Sequence, residues 1–290
     1  MRSLTADERY YITKKNNSAA LLRLSVLVAL IAATSIAIIS GFKIIPVWLV
    51  VQGLLLISLF HLLHECIHDT PFSFAPLNKI VGSICGFVLF LPCEWFRYFH
   101  RDHHRYTQNK DKDPELATAK PQSKLQWLLH VSGFPLYKSL AQVNLRLSFT
   151  KNIEAFVPVN ARPQLVRQTR ISLVLYALLL IASVGSGSSI LFGIWILPLI
   201  IRQPFLRLYL LAEHTLCDHS ENMFENTRTV LTNPLIRWFT WNMPYHTEHH
   251  TYPAVPFHKL PSLHKKMQQF LVNKELSYAE FNRRLYQTLK

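Results

Sequence analysis

Two long apolar runs near the start of the chain limit the folds that are open to it. Leu24–Ser40 is a run of 17 residues and Ile44–His64 is a run of 21, and only residues 41–43 separate them. A helix of about 20 apolar residues crosses the hydrocarbon core of a bilayer. A link of three residues returns the second helix beside the first, so the pair predicts a membrane hairpin. The alternative for each run is a buried helix of a soluble core.

A second pair of apolar runs lies in the second half of the chain. Ile171–Gly185 and Ser188–Ile201 flank a Gly-Ser-Gly sequence at 185–187. Both runs are short for a full span, so we expect each span to include flanking residues. A further run, Ile80–Leu91, is too short to cross and predicts a re-entrant or interfacial helix.

Together these runs predict an all-α integral-membrane protein with four transmembrane helices in two hairpins. The helices are expected at about residues 24–40, 44–64, 169–186 and 188–205. Residues 1–290 then form a single domain, with cytoplasmic segments at 65–168 and 206–290 that form a helical cap on the membrane helices. We expect no cleavable signal, because residues 1–18 are polar and charged.

The positions of lysine and arginine predict the orientation in the membrane. The chain has 31 of these residues and a net charge of +14. All but one lie before residue 24, between Lys79 and Arg170, or after Ile201, and the two hairpin links hold only Lys43. By the positive-inside rule, the N-terminus and both long segments face the cytoplasm. This distribution explains the basic excess without a nucleic-acid partner, and it favours contact with anionic lipid or an acidic electron donor.

Three short clusters hold eight of the 14 histidines. In chain order they are His64 and His68, then His100, His103 and His104, then His246, His249 and His250. Residues three and four apart share one face of a helix, so each cluster directs its imidazoles to one side. All three clusters fall on the cytoplasmic side of the predicted topology and can therefore converge on one site.

Eight imidazoles exceed what a single metal ion needs. Zinc takes four ligands, and a catalytic zinc takes three from the protein, so the clusters predict two ions with four imidazoles each. Imidazole alone leaves iron, copper, nickel and zinc open. Soluble di-iron carboxylate bundles use paired Glu-x-x-His motifs, a pattern that this chain fits once, at Glu65–His68. Carboxylates beside the clusters could orient imidazoles through the second ring nitrogen. These are Glu65, Asp69, Asp102, Glu213 and Glu248.

The clusters and the sequence around them resemble the membrane fatty acid desaturase/hydroxylase superfamily. The resemblance rests on the three clusters in this order, with spans between the second and the third. It also rests on Thr107 and on Asp113-Pro114-Glu115 after the second cluster, and on the run 241–245 before the third. It covers roughly residues 55–261, most of the chain.

This resemblance implies a cytoplasmic di-iron domain with two iron ions and with O2 as co-substrate. The implied ligands are His64, His68, His100, His103, His104, His246, His249 and His250. Members of this superfamily usually have a further ligand between the last span and the third cluster, where His214 fits best and His219 is the alternative. The chain lacks the His-Pro-Gly-Gly of a fused cytochrome b5. We therefore expect electrons from a separate ferredoxin- or cytochrome b5-type donor with its reductase.

The activity implied by the resemblance is oxidation of an unactivated C–H bond in a lipid or hydrocarbon substrate, with fatty acyl desaturation favoured. The membrane is the plasma membrane if the source is bacterial. The spacing of the first cluster also occurs in hydroxylases and carotenoid ketolases, so hydroxylation or ketolation of an alkane, terpenoid or carotenoid is the alternative. A zinc-dependent membrane hydrolase would not need eight imidazoles. A haem protein would place histidines within the spans, which are nearly free of them.

Overall fold

A computed structural model describes residues 5–150 and 152–290 and is helical along most of its length. The helices are α1 (Ala6–Thr13), α2 (Asn17–Ile39), α3 (Ile45–Ile67), α4 (Ala75–Val88), α5 (Cys93–Tyr106), α6 (Lys124–Ser132), α7 (Phe134–Phe149), α8 (Arg162–Gly185), α9 (Leu197–Ile201), α10 (Gln203–His214), α11 (Met223–Asn226), α12 (Pro234–Phe239), α13 (His246–Thr251), α14 (Leu260–Met267) and α15 (Tyr278–Thr288). A π-helical turn, Phe192–Ile196, precedes α9. Two short strands are β1 (Arg228–Val230) and β2 (Asn273–Glu275).

Four helical segments among the described residues are long and apolar enough to cross a membrane, the number predicted from the sequence. They are Ala6–Ile39, Ile45–Ile67, Val159–Gly185 and Phe192–His214. The helix of the first span, α2, begins at Asn17 rather than near residue 24. It begins there because the Asn16 side chain accepts a hydrogen bond from the backbone N–H of Ala19 at 3.1 Å and caps the helix.

The fourth segment differs from the expected range of 188–205, because it begins at Phe192 and continues to His214. Polar residues interrupt its apolar sequence, but they are buried against protein. The Arg202 guanidinium donates to the carbonyl of Leu56 at 2.9 Å, and the Gln203 amide donates to the hydroxyl of Tyr137 at 2.7 Å. Residues 206–214, expected in a cytoplasmic segment, are therefore part of this helical segment.

The first pair of span helices, α2 and α3, packs differently from the second pair, α8 and α9. Helix α2 lies along α3, as expected of a hairpin, whereas α8 packs on α7 and α9 packs on α3. A close approach at Gly53 lets α9 pack on α3, because a Cβ at this position would lie 2.9 Å from the carbonyl oxygen of Pro198.

The buried side-chain amide of Gln52 connects helices α2 and α3 to the fourth candidate span. The side chain of Gln52 donates to the backbone carbonyl of Ile194 at 3.0 Å and to the hydroxyl of Ser35 at 3.0 Å, and it accepts from the Thr34 hydroxyl. A polar group in an apolar region is costly unless it is hydrogen-bonded. Gln52 thus satisfies a carbonyl of the π-helical turn.

Helices α4 and α5 form a bent pair where the short helix at Ile80–Leu91 was expected. Their axes differ by 101°, as in a broken span or a re-entrant loop. The turn between them needs a glycine, because a Cβ at Gly86 would lie 2.5 Å from the carbonyl oxygen of Leu91. The bend sends α5, which carries the second histidine cluster, across the end of α3.

A two-stranded parallel sheet corrects the all-α prediction. Arg228 pairs with Asn273 and Val230 with Glu275, and β1 also contacts α10 and α13. All three residues of β1 are buried. A strand of three residues is too short to produce an alternating pattern in the sequence, which is why it was not predicted.

Candidate metal centre

The C-terminal ends of two candidate spans bring the histidines together. His64 lies in the last turn of α3, and His68 is the residue at which that helix ends. His214 is the last residue of α10. Helix α5 supplies the second cluster and α13 the third, and both lie against these ends. Four stretches of chain that are distant in sequence therefore meet in one place.

Five imidazoles form one group, which we call the five-imidazole group. One ring nitrogen from each imidazole lies within 4.8 Å of those of the others, and together these nitrogens could hold a metal ion. The members are His64, His68, His100, His104 and His249. The Nε2 atom of His104 lies 2.9 Å from that of His100 and 3.1 Å from that of His249.

Four further imidazoles form the four-imidazole group. The Nε2 atom of His214 lies 3.2 Å from those of both His103 and His246, and the Nε2 atom of His250 lies 3.1 Å from that of His246. The groups adjoin, because the ring of His104 stacks on that of His250 with centroids 4.0 Å apart.

Burial keeps the histidines of the third cluster neutral. It lowers the pKa of His246, His249 and His250 well below the ordinary value, and neighbouring imidazoles lower each pKa further. Neutral imidazoles whose Nε2 atoms face one another at about 3 Å cannot all be donors. A cation between them would satisfy the converging lone pairs, so the donor set fits a metal ion.

The Nδ1 atoms of the four-imidazole group face oxygen atoms. His103 Nδ1 donates to Asp113 at 2.9 Å, and His214 Nδ1 donates to the backbone carbonyl of Asn226 at 3.1 Å. His250 Nδ1 lies 3.2 Å from the hydroxyl oxygen of Thr107, which gives its own proton to a backbone carbonyl of α5. A partner on Nδ1 leaves Nε2 free to bind a metal.

Two carboxylates at this group come from the motif after the second cluster. Besides the Asp113 contact, His103 Nδ1 lies 3.4 Å from a carboxylate oxygen of Glu115, which pairs with Lys120 at 3.1 Å. Burial alone would raise the pKa of Glu115, but Lys120 and His103 hold that pKa well below its ordinary value. Glu115 is therefore ionised at neutral pH.

Of the carboxylates expected to orient imidazoles, Glu213 comes nearest to doing so. One of its oxygens lies 3.5 Å from His246 Nδ1. Glu248 instead contacts His264 and the hydroxyl of Thr229, and Asp69 pairs with Arg97.

The five-imidazole group has fewer hydrogen-bond partners for its Nδ1 atoms. The Nδ1 atoms of His64, His104 and His249 are buried and have no hydrogen-bond partner among the described residues. The nearby guanidinium groups of Arg101 and Arg97, together with burial as the main cause, lower the pKa of His68 to about 3.

His219, the alternative to His214, lies outside both groups. Its Nδ1 atom donates to the backbone carbonyl of Gln108 at 2.9 Å. The structure thus brings His214, and not His219, to the other clustered imidazoles.

The segment Asn226–Thr229 supports the site, and no role could be predicted for it from the sequence. Besides the Asn226 contact, Arg228 donates to the carbonyls of Ala212 and Thr215 at the end of α10, at 2.6 and 2.9 Å. The hydroxyl of Thr229 donates to Glu248 at 2.6 Å. All four residues of the segment are buried. Four adjacent polar residues were the available signal, but polarity in a sequence normally indicates a surface loop.

The sequence was compared with known families and curated proteins. The family described as fatty acid desaturase matches residues 13–282. A sphingolipid delta(4)-desaturase from Drosophila melanogaster is 25% identical over 77% of this chain and 67% of its own length. A fatty acid desaturase from Bacillus subtilis is 24% identical over 72% of this chain and 64% of its own length.

A third relative, named sphingolipid delta(4)-desaturase/C4-monooxygenase, comes from Mus musculus and is 25% identical over 70% of this chain and 59% of its own length. Shorter matches cover less: for an omega-6 fatty acid desaturase from Glycine max the match spans 24% of its length, at 30% identity. Most of these matches therefore span less than two thirds of the relative.

Proposed function

Because this chain belongs to the fatty acid desaturase family, we propose that it uses O2 to oxidise an unactivated C–H bond of a lipid-like substrate at two histidine-bound iron ions. Fatty acyl desaturation is the favoured reaction. The observation that carries the proposal is the division of nine clustered imidazoles into two adjoining groups with converging Nε2 atoms. A single zinc ion, as in a hydrolase, would leave most of these imidazoles without a role.

Each group would hold one ion. The five-imidazole group offers His64, His68, His100, His104 and His249, and the four-imidazole group offers His103, His214, His246 and His250. The iron ions supply the redox chemistry that amino-acid side chains lack. The protein orients His103, His214 and His250 through their Nδ1 partners. It buries both groups, and this burial excludes bulk water from the reacting centre.

Orientation and electron supply are part of the proposal. The two spans that end at the histidines would place the centre just beneath the cytoplasmic membrane surface, as the distribution of basic residues favours. Electrons would come from a separate ferredoxin- or cytochrome b5-type protein. The lysines and arginines expected on the cytoplasmic side suit an acidic electron-donor protein.

A second reaction is supported by one relative. The mouse protein carries both desaturase and monooxygenase in its name, so insertion of oxygen into the same C–H bond is the alternative outcome. An alkane, terpenoid or carotenoid would then replace the fatty acyl group as a possible substrate.

The test is lipid and hydrocarbon profiling by mass spectrometry in a host that expresses the chain. Desaturation removes two hydrogens from the substrate, whereas hydroxylation adds one oxygen. His104→Ala should abolish the new product, and His130→Ala, which changes a histidine outside both groups, should retain it. A product that persists in the His104→Ala variant, or that forms without O2, would overturn the proposal.

A further inference from the structure

We propose that the two metal positions are inequivalent, and that Asp113 makes the four-imidazole group the tighter one. The inference deepens the proposed function, since it rests on both groups binding metal. It concerns the order and strength of metal binding rather than the reaction.

The two groups differ in the partners of their Nδ1 atoms. A histidine that binds metal through Nε2 carries its proton on Nδ1, and an acceptor there fixes the ring and raises the basicity of Nε2. In the four-imidazole group, His103, His214 and His250 have such acceptors, at 2.9 to 3.2 Å. His246 Nδ1 has no hydrogen bond among the described residues and only a Glu213 oxygen at 3.5 Å. Three of the four rings of this group are therefore held ready for a cation.

The five-imidazole group lacks this support among the residues that the structure describes. Metal binding through Nε2 would leave the N–H groups of His64, His104 and His249 buried without an acceptor. A buried donor without an acceptor is unfavourable, because it loses its hydrogen bonds to water. The cost opposes binding at this group although it offers more imidazoles.

The carboxylate of Asp113 also favours a cation at the four-imidazole group. Its side chain is 2% exposed, and its only ion pair among the described residues is the one with His103. Its two carboxylate oxygens also accept the backbone N–H groups of Gln108 and Glu115, at 2.8 and 2.9 Å. The carboxylate is therefore fixed in place, and within the described chain no lysine or arginine pairs with it.

An acidic residue that adjoins the five-imidazole group in sequence differs in this respect. Asp69 adjoins His68 in sequence, but its carboxylate pairs with Arg97 at 2.9 Å and lies 3.8 Å from Arg101. Its side chain is 35% exposed. Asp69 is therefore neutralised by arginines, whereas the charge of Asp113 is available to a cation bound through His103.

The experiment is a titration of the metal-free, full-length protein in detergent with Co²⁺, followed by visible absorption and by metal analysis. The wild type should bind two ions in two separable steps. Asp113→Asn keeps an acceptor for His103 Nδ1 but removes the charge, and it should weaken the first step by roughly 10–100-fold. Asp69→Asn is the matched control and should leave the first step unchanged.

Two further variants assign the steps to the groups. His250→Gln should remove the tight step, and His64→Gln should leave it intact. Loss of the tight step in His64→Gln would overturn the inference, as would equal affinities of the wild type for both ions. If Asp113→Asn fails to fold, the His250→Gln and His64→Gln variants still show which group binds the first ion.

Failure of this inference is distinguishable from failure of the proposed function. If the two ions bind with equal affinity and an oxidised lipid forms, the inference is contradicted but the proposed function is supported. If the metal binds in two separable steps but no oxidised product forms, the proposed function is contradicted and the inference is supported.

Discussion

The side-chain amide of Gln108 donates a hydrogen bond to the backbone carbonyl of His214 at 2.6 Å. The backbone N–H of the same residue donates to Asp113, and its carbonyl accepts from His219. Gln108 therefore ties the loop after the second histidine cluster to the end of α10. The ninth clustered imidazole, that of His214, depends on this residue for its position.

Gln108→Leu should loosen His214 without removing any imidazole. It deletes one of the two donors to the His214 carbonyl, which keeps only the backbone N–H of Cys217 at 3.2 Å. The expected loss is about 0.5–1.5 kcal/mol in the free energy of unfolding. Thermal unfolding in detergent and metal content per chain would measure the effect. An unchanged melting temperature together with unchanged metal content would show that Gln108 does not hold His214.

His249→Ala and His219→Ala should have different effects on bound metal. His249 belongs to the five-imidazole group, so its removal should lower the metal content of the purified chain and abolish activity. His219 donates to Gln108 outside both groups, so His219→Ala should keep both ions with reduced thermal stability. Metal analysis of both purified proteins provides the measurement. Equal metal loss in the two variants would contradict the assignment of His219 to a supporting role.

Gln52→Leu should destabilise the membrane part of the protein. The change leaves the Ile194 carbonyl of the π-helical turn without its donor in an apolar region, at a cost of roughly 1–3 kcal/mol. The control is Gln142→Leu, which changes an exposed glutamine of α7. Unfolding of both variants in the same detergent gives the comparison, and equal stability of the two would show that the buried amide is dispensable.

The metal-free protein should lose stability in mild acid. Burial and the nearby arginines lower the pKa of His68 to about 3, and burial lowers the pKa of His246, His249 and His250 as well. These four histidines take up protons near pH 6.5 in the unfolded chain but remain neutral at that pH in the folded protein. The stability that neutral histidines contribute is therefore present above about pH 6.5 and declines as the pH falls from there towards 3.

Melting temperatures of chelator-treated protein at pH 7.5, 6.5 and 5.5 test this pH dependence. The decrease should be steeper in the wild type than in a variant in which His249 and His250 are both replaced by glutamine. A flat profile for the wild type over this range would contradict the burial of neutral imidazoles.

Much of the fold was predictable because membrane spans are long, apolar and flanked by charge. The number of candidate spans agrees with the prediction, and the short apolar run at Ile80–Leu91 corresponds to a helix that ends in a sharp bend. The fourth helical segment continues beyond the predicted end at residue 205, to His214. Arg202 and Gln203 look like a membrane boundary in a sequence, and only tertiary contacts show that they are buried against protein.

The clustered histidines could be found from their spacing, but their division into two groups could not. His103 and His104 are adjacent in α5, yet their side chains point into different groups. The supporting residues were harder still to find. Asp113 and Asn226 reach ligands that are 10 and 12 residues away in sequence, beyond the range of helical periodicity.

The parallel pairing of β1 with β2 affects the order in which the chain is assembled during synthesis. β1 follows directly on Asn226 and Thr227, which contact His214, but its partner strand is translated after the last clustered histidine. All the clustered histidines are thus synthesised before β2, the strand that pairs with β1 and fixes its position. The histidine centre is therefore finished only after Asn273–Glu275 has been synthesised, and ions are expected to enter after that point.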